Sequence, residues 1–261
     1  MNIAVVIRQV PDLIEPLEID SSGTALDLGS ASFIVNESDD HALEQAILLK
    51  EAGGATVSVV AMDFGDVDNT LYTAAAKGAD GIVKISLDDG PPSPRAAAAV
   101  YAAAVKSLAP DLVLVGVQAH DEMDGGLSPF LAAALGLPYV GVIRGVKAGP
   151  QPGMITVCKE FPGAVMARLQ VKLPAVLGIL GADQPPRYVP VSRIRAAMKT
   201  TQFVEQAAAA SPGPPAGVPP LLSICRLYPP ATGSRAEMLS GSETEVAARI
   251  AEILVQKGLV K

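Results

Sequence analysis

The sequence predicts an α/β protein: a mostly parallel sheet with flanking helices, a small antiparallel addition and a C-terminal arm. Three observations carry this. Apolar runs of strand length alternate with helix-patterned segments through the first half, a rhythm that implies parallel strands joined by right-handed crossovers. Near residue 138 the rhythm stops, and strand-like segments follow one another with Gly and Pro between them. The composition is 49% hydrophobic but only 4% aromatic, with no Trp, so Ala, Val and Leu must pack the core. Ala-rich helices laid on a parallel sheet suit that composition.

NIAVVI at the N-terminus reads as the first strand, and a long loop runs from it through Asn36. Residues 39–52 (DDHALEQAILLKEA) predict a helix whose apolar face includes Ala42, Ala46, Ile47 and Leu49, closed by the following glycines. TVSVVAM (56–62) is the second strand, DNTLYTAAAKGAD a helix ended by Gly78, and GIVKIS (81–86) the third strand. In SPRAAAAVYAAAVKSL, Ser93 is placed to cap a helix and Pro94 suits its first turn. DLVLVGV is the fourth strand, and a Gly-bearing loop leads to the helix SPFLAAALG. Then YVGVIRGVKAG, MITVCKEF and AVMARLQVKL read as antiparallel strands, and LPAVLGIL (173–180) as a buried strand. RIRAAMK (193–199) predicts a short helix. AAAASPGPPAGVPP reads as a linker. A last helix begins at Ser242, with Glu245 completing a capping box. The expected organisation is an α/β domain over 1–200, a Pro/Ala-rich linker over 201–221 and an arm over 222–261. No repeat with a period of 20–50 residues is present.

Bulk properties narrow the class. A formal charge of −7 argues against a broad surface for nucleic acid or anionic membrane. Cys158 and Cys225 match no metal spacing and read as small apolar side chains of a reducing compartment. The N-terminus lacks the pattern of a secretory signal, and no apolar run reaches the length of a membrane span, so the expected location is cytoplasmic.

Ligands of open parallel sheets sit outside the carboxyl ends of the strands. That rule selects the loops after Ile7, Asn36, Met62 and Val117. The last, VGVQAHDEMDGGLSP, offers the open amides of Gly125 and Gly126 ahead of a helix start, with the Ser128 hydroxyl nearby. It also crowds Asp121, Glu122 and Asp124 together. A carboxylate about 4 Å from a phosphate costs on the order of 1–4 kcal/mol. Two readings stay open on these residues: a nucleotide loop, or acids that cap the helix themselves. His120 beside Asp121 lacks an orienting partner and reads as a loop residue at the edge of a site, and His41 as a solvated helix residue. There is no Walker loop, no G-x-G-x-x-G after the first strand, no nucleophile with its base and no metal cluster. The residues therefore point to a binding module or a subunit without catalytic machinery of its own.

Several segments together resemble one family. VIRQVPD resembles the V-K-x-V-P-D opening of electron transfer flavoprotein beta subunits, HALEQAILLKEAGG their A-L-E-E-A-L-R-L-K-E helix, and TAAAKGAD their A-L-A-M-G-A-D. VGVQAHDEMDGGLSPFLAAALGLP resembles G-x-Q-A-x-D-G-D-x-x-Q-x-G-P-x-L-A-x-x-L-G-x-P. KLPAVLGILGADQPPRYVPVSRIRAAMKT resembles the family's L-P-A and N-E-P-R-Y segment, and the tail from PPATGSR onward resembles its ending. The resemblance runs in order along the whole chain.

It implies an adenine-nucleotide alpha hydrolase-like fold and an electron-carrier subunit rather than an enzyme. The partner would be an alpha subunit that holds most of a redox FAD, with this chain closing over one side of it. Electrons would come from flavin dehydrogenases and pass to a quinone oxidoreductase. In ordinary members the beta subunit carries AMP; in electron-bifurcating members a second FAD takes that site. Carried over residue by residue, the nucleotide site uses Val6, Asn36, Met62 and the loop from Gln118 to Pro129. Gln118, Ala119, Asp121 and Pro129 match the motif, while Met123, Gly126 and Ser128 replace its second Asp, its Gln and its Gly; Asp124, Gly125 and Leu127 complete the loop. Glu37 and Ser38 stand where Pro and an aromatic are common, and Leu13 where some members place a tyrosine near the flavin. The recognition loop for the dehydrogenase would present Val191 as its apolar anchor, flanked by Arg187, Tyr188 and Ile194, and the arm would dock on the partner subunit.

Three rivals differ in sequence. A stand-alone stress-type nucleotide module would carry G-x-x-G-x(about nine)-G-[ST], which is absent. An adenylating enzyme would carry an S-G-G-x-D-S-like loop where VIRQVPD stands. A bifurcating homologue would keep D-T-A-Q-V-G nearly intact, and this loop departs from it.

Overall fold

In the computed structural model, residues 1–29, 31–87, 92–122, 124–208, 223–229 and 236–260 are described. The chain begins with β1 (Asn2–Val6), buried from Ile3 onward. β2 (Gln9–Pro11) and β3 (Phe33–Val35) follow as a separate antiparallel pair inside the stretch expected to be loop. Three residues per strand are too short to leave a periodic signal. Then come α1 (Glu37–Gly53), β4 (Thr56–Met62), α2 (Val67–Lys77), β5 (Gly81–Ser86), α3 (Pro94–Ser107), β6 (Leu112–Gly116) and α4 (Leu127–Leu135). β7 (Tyr139–Ala148), β8 (Met154–Phe161), β9 (Val165–Lys172), β10 (Ala175–Gly181), α5 (Val191–Thr200), β11 (Val204–Ala207) and α6 (Glu243–Gln256) complete the described elements.

One nine-stranded sheet runs in the order β11-β5-β4-β1-β6-β10-β7-β8-β9. Its members from β11 to β7 are parallel, and β8 and β9 extend it as an antiparallel hairpin. β7 therefore departs from the all-antiparallel expectation: it lies parallel to β10 and antiparallel to β8. Side chains alternate across each strand. Ile3, Val5 and Ile7 face α1 and α2, while Ala4 and Val6 face α3 and α4. Cover on both faces explains why the central strands read as unbroken apolar runs.

The end signals behave as their chemistry requires. Ser93 Oγ accepts from the Ala96 amide at 3.5 Å with Pro94 in the first turn, and Ser242 and Glu245 form the reciprocal capping box. β11 lies in the segment assigned by composition to the linker and pairs with β5, so sheet structure continues past residue 201. Most of the linker lies outside the described residues. No described helix is long and apolar enough to cross a membrane.

β1 and β6 are neighbours, but the helices that follow them lie on opposite faces of the sheet. This is the topological switch point, and the crevice above the carboxyl ends of these two strands is where such sheets hold ligands.

Candidate functional site

The crevice is organised by a buried charge cluster. Arg8, just after β1, grips Asp39 in the first turn of α1 through Nε (2.8 Å) and Nη2 (3.0 Å), and Nη2 also donates to the Gly116 carbonyl at 3.2 Å. Asp39, with no exposed side-chain surface, accepts in addition from the amides of Arg8 (3.0 Å) and Gly116 (2.6 Å). An acid in a first helical turn is also favoured by the helix dipole. Gly116 is the residue that lets β6 end there: a Cβ would lie 2.4 Å from Asp39 Oδ1 and 2.8 Å from the Asp39 nitrogen.

The third member is Glu122. Its Oε1 lies 2.8 Å from Arg8 Nη1, and both side chains are only 10% exposed. The contact pairs charges without aligning a hydrogen bond, so Nη1 has no hydrogen-bond partner. Glu122 Oε2 accepts from the Ala119 amide at 3.4 Å. Burial works against the Arg8 charge, yet Asp39 and then Glu122 hold the guanidinium protonated more firmly than usual. For Glu122 burial wins over the pull of Arg8, and its carboxyl titrates above the usual range.

The apolar wall is Tyr101. Its ring, 2% exposed, packs from α3 into the cluster that contains Val6 and Met62, and its hydroxyl donates to the Ile7 carbonyl at 3.3 Å. Burial pushes the phenol far up, so it stays a neutral donor. Sequence reading passed over Tyr101 because it sits in an Ala-rich helix where an aromatic at helical spacing signals only core.

The predicted nucleotide residues do converge, and most are turned inward. Val6 and Met62 are core residues. Asn36 Nδ2 and Ser38 Oγ both donate to the Gln118 carbonyl, at 3.0 and 2.6 Å, tying the loop to the start of α1. Gly125 turns with φ 59°, a conformation glycine adopts without strain. Asp124 Oδ1 accepts from the Gly126 amide at 3.1 Å, the capping role open to the acids. Ala119 and Leu127 are buried, and the Ser128 hydroxyl contacts Tyr139 Oη at 3.1 Å rather than opening to the crevice. Gln118, Asp121 and Pro129 are exposed, and Met123 lies outside the described residues. His120 holds the Pro11 carbonyl at 2.8 Å through Nε2, which must therefore carry the proton. On the other face, a cavity of about 170 Å³ beside Asp40, Thr70 and Lys77 falls below the roughly 300–1,000 Å³ of small-molecule sites.

The second predicted site is the segment between β10 and α5. Here α1 acts as an anchor. His41 Nδ1 accepts from the Ala182 amide (3.3 Å), so it is a tether rather than the solvated residue expected. Gln45 accepts from the Asp183 amide (2.9 Å) and donates to the Val146 carbonyl (2.9 Å). Arg187 donates through Nε and Nη2 to Glu44, and through both terminal nitrogens to Glu51, while its own amide donates to Glu44 at 3.0 Å. Those bonds, from Glu51 first and then Glu44, raise the guanidinium pKa despite partial burial. Val189 is buried beside them, Ile194 is half-buried, and Tyr188 and Val191 stand 84% and 57% exposed. Arg187 is thus committed to the fold, and the free apolar groups are Tyr188 and Val191.

Fold and site together define an α/β protein with a mostly parallel sheet, a switch-point crevice and a braced apolar segment. The electron transfer flavoprotein domain matches residues 28–211. The chain is 31% identical over 261 residues to the electron transfer flavoprotein subunit beta of Methylophilus methylotrophus, covering 97% of this chain and 98% of that one. It is 34% identical over 195 residues to the Clostridium acetobutylicum protein of the same name, covering 74% of each. It is also 26% identical over 277 residues to the acryloyl-CoA reductase electron transfer subunit gamma of Anaerotignum propionicum, covering 100% of both. The chain belongs to the electron transfer flavoprotein family, as a homologue of its beta subunits.

An adenylate in the crevice would need a cation or open amides for its phosphate and an apolar slot for its base. Here Glu122 already pairs with the cation, Glu122 and Asp124 accept from the loop amides of Ala119 and Gly126, and Tyr101 is packed with Val6 and Met62. As arranged, these residues do not fit the group.

Proposed function

We propose that this chain is the non-catalytic beta subunit of a heterodimeric electron carrier. Its partner, an alpha subunit, holds the FAD, and the flavin takes and gives electrons while this chain shapes one wall of its site. The observation that carries this reading is α6. It bears Val246, Ile250, Ile253 and Leu254, yet none of its residues is buried, so a helix with apolar side chains is left for another chain to cover. Leu13 and Ile14, 61% and 91% exposed, form a second uncovered apolar site at the loop the resemblance places near the flavin. Electrons enter from flavin dehydrogenases docking on Tyr188 and Val191 and leave toward a quinone oxidoreductase. The domain on this reading spans 1–200 with its edge strand β11, and the arm from 222 binds the partner.

The test is co-expression with the alpha subunit, followed by flavin quantification and reduction by an acyl-CoA dehydrogenase with its substrate. One FAD per heterodimer and rapid reduction support the reading. Val191→Glu should lower kcat/KM for the donor at least about tenfold with flavin content unchanged, as loss of a central apolar anchor does. A heterodimer without flavin, or a chain that forms no complex, would overturn it.

A further inference from the structure

We propose that the switch-point crevice is filled by the chain itself, with Glu122 standing in the place of a ligand's phosphate and Tyr101 in the place of its base, so that this subunit works without a bound nucleotide. The proposal rests on the beta-subunit reading and concerns the crevice alone.

The anion's place comes first. A phosphate at this switch point has two kinds of partner, the Arg8 guanidinium at the ends of β1 and β6 and the loop amides ahead of α4, and of those amides Gly126 is already held by Asp124 Oδ1 at 3.1 Å. Two of the Arg8 guanidinium nitrogens are taken by Asp39 and Gly116. The third, Nη1, lacks a hydrogen bond but faces Glu122 Oε1 at 2.8 Å. An incoming phosphate would meet a carboxylate at the cation it needs, with Glu122 Oε2 already accepting from Ala119. Two anions brought that close repel one another. Asp39 cannot move aside to release Arg8, because it also accepts from the Arg8 and Gly116 amides.

The base's place is filled independently. An aromatic base would lie on the apolar wall formed by the ends of β1 and β4, which is Val6 and Met62. Tyr101 is packed there, and its hydroxyl holds the Ile7 carbonyl at the end of β1. One aromatic ring thus occupies the wall that another would use. A fully packed buried aromatic ring does not yield its place without replacement. A carboxylate on the cation and a ring on the apolar wall are thus supplied by two separate elements of the chain.

The experiment uses the FAD-loaded heterodimer. Denaturation should release about one FAD and no stoichiometric AMP, and calorimetric titration of the native complex with AMP should show no binding at millimolar concentration. Glu122→Gly, Tyr101→Leu and the double variant are then titrated, with FAD content reporting that each complex is intact. An intact variant should bind AMP at least about tenfold more tightly than the native complex, the double variant most tightly. One AMP per native heterodimer would overturn the proposal, as would an intact double variant that gains no AMP. Should the variants lose FAD, the native complex decides alone: bound or titratable AMP overturns the proposal and its absence upholds it. Loss of FAD from the native complex would instead count against the electron-carrier reading.

Discussion

The crevice and the docking segment are both built on α1, and they use its side chains to opposite ends. At its first turn, Asp39 draws Arg8 and Gly116 into a cluster that Glu122 completes from the far loop, and the charges are spent on one another inside the protein. Further along the helix, His41, Glu44, Gln45 and Glu51 fix the backbone from Ala182 to Arg187. That bracing leaves Tyr188 and Val191 uncovered. The same kind of contact, carboxylate to guanidinium, closes one site and presents the other. What differs is where the apolar side chains end up: Tyr101 packed into the crevice, Val191 held away from the body.

The largest effect should come from breaking the crevice cluster. Arg8→Ala leaves Asp39 and Glu122 buried without their cation, and should cost about 3–5 kcal/mol in urea unfolding of the heterodimer. Arg187→Ala strips Glu44, whose side chain is 3% exposed, of its partner but leaves Glu51 in solvent, so about 1–3 kcal/mol is expected. That variant should also lower donor turnover, and Arg187→Lys should not restore it, because one ammonium cannot serve two carboxylates as the planar fork does. If both variants cost the same and neither touches turnover, the contrast between a closing and a presenting cluster fails.

The Glu122 carboxyl gives a smaller, pH-dependent effect. Burial raises it above its usual range, against Arg8. Such a group favours folding below its unfolded pKa of about 4.3, and that contribution is lost as pH rises through the higher folded value. The stability of the native complex relative to Glu122→Gln should therefore decline over that window, by about 1.4 kcal/mol per unit separating the two pKa values. Arg8, Asp39 and Asp121 share the cluster's field, so the measured quantity is the difference between native and variant curves. Smallest of all, Val191→Glu should leave thermal stability within about 0.5 kcal/mol, since it changes an exposed side chain.

Much of the fold was legible because both faces of the central sheet are covered, which writes whole strands as apolar runs such as Leu112–Gly116. The caps at Ser93 and Ser242 were legible because capping depends on neighbours in sequence. β2, β3 and β11 were not, since three or four residues at an edge carry no period. For the crevice, sequence pointed to loops that the fold does bring together but could not say which way their side chains turn. Arg8 lies inside VIRQVPD without a role legible there, because a buried cation is recognisable only once its partners, 31 and more than 100 residues distant, are in place. Arg187 was expected among the docking groups for the same reason: Glu44 lies 143 residues away.

The most direct test compares the two regions in one experiment, hydrogen–deuterium exchange of the FAD-loaded heterodimer with AMP and, separately, with a reduced acyl-CoA dehydrogenase. AMP should leave exchange across residues 116–128 unchanged, whereas the dehydrogenase should slow exchange around 188–198. Protection of 116–128 by AMP, with no footprint of the dehydrogenase at 188–198, would contradict this contrast.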